Sequence, residues 1–171
     1  LADDRLTYSV MVANNNALLP ESDQSKRVYA GLTSSPVEHI VVGVSADYAG
    51  YEGELESGTT LHAFAGYESD RFSAGVEPFW NRLQLTDDGE AVLSGVSVFA
   101  HVGITDSWRV IGRVDLASPS GDEDGPNSTL GIVAISFEPI QNVRLMPNVW
   151  LLKQEGTDAE VRGRFTFEFR F

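Results

Sequence analysis

Val161-Arg162-Gly163-Arg164-Phe165-Thr166-Phe167-Glu168-Phe169-Arg170-Phe171 closes the chain, and its alternation decides the fold. Val161, Gly163, Phe165, Phe167, Phe169 and Phe171 fall on one face of an extended backbone. Arg162, Arg164, Thr166, Glu168 and Arg170 fall on the other. A period of two means a β-strand with one apolar side and one wet side. Four phenylalanines in succession are more than a soluble protein ordinarily exposes or buries on its terminal strand.

The same alternation runs upstream. It predicts ten strands, at about residues 5–13, 27–33, 39–51, 59–68, 71–82, 91–104, 108–117, 128–138, 143–152 and 161–171. One face of the third carries Ile40, Val42, Val44, Ala46 and Tyr48; one face of the seventh carries Val110, Gly112, Val114 and Leu116. The connections alternate in length. Short turns fall at Ser34-Ser35-Pro36, Ser69-Asp70, Thr105-Asp106-Ser107 and Pro139-Ile140-Gln141-Asn142. Longer polar loops fall at 14–26, 52–58, 83–90, 118–127 and 153–160. Short turns on one rim and long loops on the other, joined by strands of ~9–11 residues, are how transmembrane barrels are built. The expected fold is therefore all-β: one domain over residues 1–171, an antiparallel up-and-down transmembrane β-barrel of about ten strands.

Alternation alone leaves the direction of "in" open, and a soluble barrel or sandwich would turn its apolar face inward. Small residues on the polar face (Gly43, Ser45, Gly66, Ser73, Gly75, Gly95, Ser97) favour lipid outside, because a narrow lumen demands small side chains and a solvent face does not. Tyr8, Tyr48, Tyr67, Phe72, Trp80, Trp108, Phe137 and Phe171 are expected near strand ends on the apolar face, the depth that amphipathic rings prefer.

Bulk properties agree. The 171 residues are 42% hydrophobic with a mean hydropathy of −0.12, and no apolar run approaches the ~18 residues of a spanning helix. Cysteine is absent, which removes disulfides, thiol nucleophiles and cysteine metal sites. The net charge of −13 argues against nucleic acid as a partner. Two lysines stand against ten arginines, and the acids gather in the loops. A salt-rich habitat and divalent cations bridging loop carboxylates to lipopolysaccharide both explain that acidity. The start, Leu1-Ala2-Asp3-Asp4, reads as processed or truncated.

Arg164-Phe165-Thr166-Phe167-Glu168-Phe169-Arg170-Phe171 resembles the C-terminal signature of bacterial outer-membrane proteins. The resemblance implies a Gram-negative cell outer membrane as location and outer-membrane lipid and lipopolysaccharide as surroundings. It also implies recognition by the barrel-assembly machinery through Phe171. A second resemblance covers roughly the last 65 residues. Trp108–Asp115, then Ile132–Pro139, Ile140-Gln141-Asn142-Val143 and Pro147-Asn148, are similar to the closing strands of phosphate- and pyrophosphate-selective porins, with Arg113, Asp115, Asn142 and Asn148 at the matching positions. Those porins are far longer and carry a lysine-rich path. The chain is accordingly either the C-terminal part of a porin or a small barrel sharing its closing motif.

The expected lumen carries Asp47, His62, Glu68, Glu77, Asn81, His101, Arg109, Arg113, Asp115, Glu138, Arg144, Asn148, Arg162, Arg164, Glu168 and Arg170. With strands ~4.8 Å apart, Arg109, Arg113, Arg162 and Arg164 are expected to line one sector, facing acids of the third to fifth strands. Asp47, Glu77, Arg109, Arg113, Asp115, Arg144, Arg162 and Arg164 are the candidate pore-lining residues. The expected function is passive passage of small solutes, anionic ones among them, as in ion transport. The alternative is a closed structural or interaction barrel, plugged by its own ion pairs and acting through acidic loops. A barrel of ~8 strands is filled by its side chains and ~16–18 leave a channel, so ten lies near the filled end.

Catalysis is not expected, and neither is a metal or cofactor. His39 lies beside a short turn, and His62 near the outer rim has Ser57, Asp87 and Asp88 about it without a motif. Ser120–Asn127 lacks the spacing and terminal Glu of an EF-hand loop, and reads, like Glu52–Glu56, as a solvated loop tip.

Overall fold

A computed structural model describes residues 5–14, 25–50, 55–86, 89–121 and 125–170. These form ten strands and no helix: β1 (Leu6–Asn14), β2 (Lys26–Ser34), β3 (Ile40–Gly50), β4 (Leu55–Glu68), β5 (Phe72–Leu85), β6 (Glu90–Gly103), β7 (Trp108–Gly121), β8 (Ser128–Ile140), β9 (Val143–Gln154) and β10 (Glu160–Phe169). Every strand pairs antiparallel with the next, in sequence order and without crossover. This is the expected up-and-down meander, strand for strand. Among the described residues β1 pairs only with β2 and β10 only with β9.

Several strands outrun their apolar stretches. β5 and β6 pair as far as Gln84 and Glu90, and β6 and β7 as far as Ala91 and Gly121, inside the segments expected as loops. A ladder needs only backbone, so it continues where polar side chains follow; Arg82 and Glu90 meet there at 2.7 Å. Proline shapes the ladder locally, because it lacks an N–H. Pro119 sits beyond Ala117, where β7 has already left β8. The β4–β5 ladder is interrupted beside Pro78 and the β8–β9 ladder beside Pro147, and both resume in the same register.

Register assigns the faces. The row Leu32, Val44, Ala63 and the row Val98, Val114, Gly131, Leu151, Val161 belong to one side. The row Phe99, Arg113, Ile132, Trp150, Arg162 belongs to the other. On a curled sheet, side chains converge on the concave face and splay on the convex one. The most covered residues, Ala49, Ser97, Ala134, Ser136 and Asn148, all share the polar side. Val10, Val44, Val98, Val133, Val149 and Phe165, each about half exposed or more, share the apolar side. The polar face is thus the inner one, and the apolar face looks outward. Outward rings meet along the short-turn rim: Trp108 stacks on Phe137 at 4.3 Å, and Tyr67 lies 6.0 Å from Phe72. Tyr8 and Trp80 instead lie within their strands. Phe171 falls outside the described residues.

Candidate functional site

The inner wall of β7–β10 carries most of the expected arginines, and the strand period explains how they are held. Residues two apart share a face, so Arg113 grips Asp115 of its own strand through Nε, 2.8 and 3.0 Å from the two carboxylate oxygens. Arg162 donates from Nε and a terminal nitrogen to Glu160 at 2.6 and 2.7 Å. Arg170 donates to Glu168 at 2.6 Å. Arg144 spans strands, donating to Glu168 at 3.1 Å and to Glu138 at 3.5 Å. Arg109 and Arg164 have no carboxylate within salt-bridge distance among the described residues. Carboxylates of the same wall thus stand among the arginines expected to line one sector. Four of the six arginines are neutralised locally, three by a neighbour two residues away and Arg144 by carboxylates of the flanking strands.

Across β2–β5 two of the expected acids lie beside basic side chains at longer range. Asp47 lies 3.5 Å from Arg27 on the adjacent strand, and Glu77 lies 3.6 Å from His62. His101 meets the Ser73 hydroxyl at 2.7 Å, and Asn81 donates to the Thr60 hydroxyl at 3.0 Å. Ser9, Gly31, Thr33, Gly43, Ser45, His62, Phe64 and Glu77 contribute to an inner groove of about 280 Å³. Among the described residues the ion pairs of the strands run along the wall, within a strand or between adjacent strands.

Three glycines of the inner face also make room for aromatic rings. A Cβ on Gly66 would meet the Phe64 ring at 2.6 Å, one on Gly75 the Phe99 ring at 2.7 Å, and one on Gly95 the Phe79 ring at 2.6 Å. The glycines let inward-facing rings lie flat against the backbone, a device known as aromatic rescue. Phe64 and Phe99 stack at 6.2 Å. These rings, with Tyr29 and Trp150, are absent from the expected lumen, although strand parity alone assigns them to it: Trp150 is in phase with Asn148, against Val149 and Leu151.

The four porin-like positions acquire structural roles. Arg113 and Asp115 form the intrastrand pair. Asn142, at φ 70°, fills the left-handed position of the Gln141-Asn142 turn, which Asn tolerates better than most residues. Asn148 accepts the Trp150 indole N–H at 2.7 Å and donates to the Met146 carbonyl at 2.9 Å and the Thr166 hydroxyl at 3.2 Å. Trp150 in turn carries the Arg164 guanidinium 3.9 Å above its ring centroid.

His39 occupies the other left-handed turn position, at φ 67°, with Nδ1 2.7 Å from the Glu68 carbonyl. His62 meets Glu77 and packs near Phe79. Among the described residues no three His, Asp or Glu side chains cluster so as to hold a metal ion. Asp87, Asp88, Glu52 and the Asp122–Asp124 run lie outside the described residues.

An outer-membrane architecture also emerges from comparison with solved structures. The chain is similar to one titled outer-membrane expressed OmpT of Vibrio cholerae, with a TM-score of 0.68 over 83% of this chain at 10% identity. The fold is that of an outer-membrane β-barrel. The match covers 52% of the other chain, so this sequence spans about half its length. No family model and no curated protein matches the sequence.

Proposed function

We propose that this sheet is the wall of an outer-membrane channel for passive passage of small solutes, with its polar face lining water. One observation carries the reading: the ion pairs of the inner face lie along the wall, and none among the described residues reaches across the concavity. A plug of charges would require cross-lumen pairs, since buried charge without a partner is costly. The topology is consistent, because no ladder joins β10 to β1 among the described residues and 83% of the chain matches 52% of an outer-membrane chain. Barrels of ~16–18 strands hold water where those of ~8 strands are filled. The candidate lining is Asp47, Glu77, Arg109, Arg113, Asp115, Arg144, Arg162 and Arg164.

The test is conductance of the refolded protein in a planar bilayer, with ion selectivity taken from the reversal potential. Steady openings whose selectivity moves toward cations in Arg109→Gln support the channel. Silence from a correctly folded, heat-modifiable barrel refutes it.

A further inference from the structure

Six arginines in or beside β7–β10 face inward, and the pairings above leave only Arg109 and Arg164 without a carboxylate among the described residues. Arg164 is also held in place. Its partner across the ladder is Asn148, the same residue whose amide fixes the Trp150 indole. Asn148 is itself almost fully covered and spends its amide on Met146 and Thr166. The brace therefore runs from backbone to amide to indole to guanidinium. At 3.9 Å the guanidinium is at stacking distance from the ring. A stacked guanidinium keeps its charge and leaves in-plane N–H groups at its rim, where a planar oxyanion is bound in a fork. Arg162 already spends that fork on Glu160, and Arg113 spends its Nε on both oxygens of Asp115.

We propose that Arg164, seated on Trp150, is an oxyanion-binding station of the inner wall, taking a carboxylate or phosphate group of a small solute. This rests on the reading of the inner face as water-lined. Arg109 adds positive charge on the same wall, and the stacked pair supplies the docking geometry.

The experiment uses Trp150 as its own reporter. Trp80 and Trp108 lie on the apolar face, so Trp80→Phe with Trp108→Phe leaves a single inner tryptophan. The folded protein in vesicles is titrated with inorganic phosphate and with citrate at constant ionic strength against sodium chloride. A saturable change in Trp150 emission is expected with both oxyanions and not with chloride. Arg164→Gln is expected to weaken it by about tenfold or more, as loss of a charged hydrogen bond does, while Arg71→Gln, on the short-turn rim, leaves it in place. Asn148→Ala, which frees the indole and keeps the charge, is expected to weaken it by a smaller factor.

An unchanged response in Arg164→Gln overturns the proposal, as does an equal response to chloride or none to either oxyanion. The bilayer experiment separates the two readings. A silent barrel with saturable Trp150 binding keeps the station and removes the channel; a conducting barrel without binding does the reverse.

Discussion

Arginine placed at successive positions of the wall tests which face meets lipid. Val44 and Ser45 are neighbours in the middle of β3, both exposed, on opposite faces. Val44 is 58% exposed on the convex side, between Leu32 and Ala63. Ser45 opens into the inner groove between Gly31 and His62. An arginine on the lipid face near the bilayer midplane costs ~2–4 kcal/mol, falling to ~0–1 near the interfaces. Val44→Arg should therefore shift the folding equilibrium by roughly 30- to 700-fold, at ~1.4 kcal/mol per tenfold. Ser45→Arg enters water beside Glu77 and should stay within ~0.5 kcal/mol, as ordinary surface changes do. Ser120→Arg lies on the apolar face but at the level of Val92, two residues from Glu90 at the start of β6, and should cost ~0–1 kcal/mol. The assay is reversible denaturant unfolding in phosphatidylcholine vesicles, followed by tryptophan emission and by heat-modifiability on gels. If Val44→Arg costs no more than Ser45→Arg, the convex face is not in lipid. If Ser120→Arg costs as much as Val44→Arg, the penalty does not follow depth and the bilayer is not its cause.

Gly95→Ala should be the worst of the glycine substitutions, at ~1–3 kcal/mol of overpacking. Its Cβ would clash with the Leu116 carbonyl as well as the Phe79 ring, whereas Gly112→Ala has open space and should be neutral or slightly stabilising in the same unfolding assay. Arg144→Ala leaves Glu138 and Glu168 side by side without their bridging cation. The protein should lose stability at low salt and recover part of it at high salt, read from denaturation midpoints at two ionic strengths. Asn142→Val forces a β-branched residue to φ 70° and should cost ~1–2 kcal/mol, while Asn142→Gly should be tolerated; equal effects of the two would remove the turn argument.

Strand number, order and face were legible because each follows from a period of two. The apolar run Ile40, Val42, Val44, Ala46, Tyr48 needs no tertiary information to be read as one side of a strand. The strand ends were less legible, since ladder extension past Leu83 and Ala117 is decided by the partner strand. Which face is concave was also outside the reach of alternation, and it took the covered Ala134, Ser136 and Asn148 to settle it.

The charges show why composition misleads about a lumen. Ten arginines among twelve basic residues suggest a strongly cationic wall, yet Arg113-Val114-Asp115 and Glu160-Val161-Arg162 each place opposite charges two residues apart on one face. Such pairs cancel at the length of a side chain, and a solute passing more than a Debye length away, ~8 Å in physiological salt, feels little of them. What it feels is the residue left over. In β7–β10 that remainder is two charges, and only the one at Arg164 is oriented by an aromatic ring. Net charge sets how the whole molecule behaves in salt; the selectivity of a wall is set by the few charges its own strands fail to neutralise.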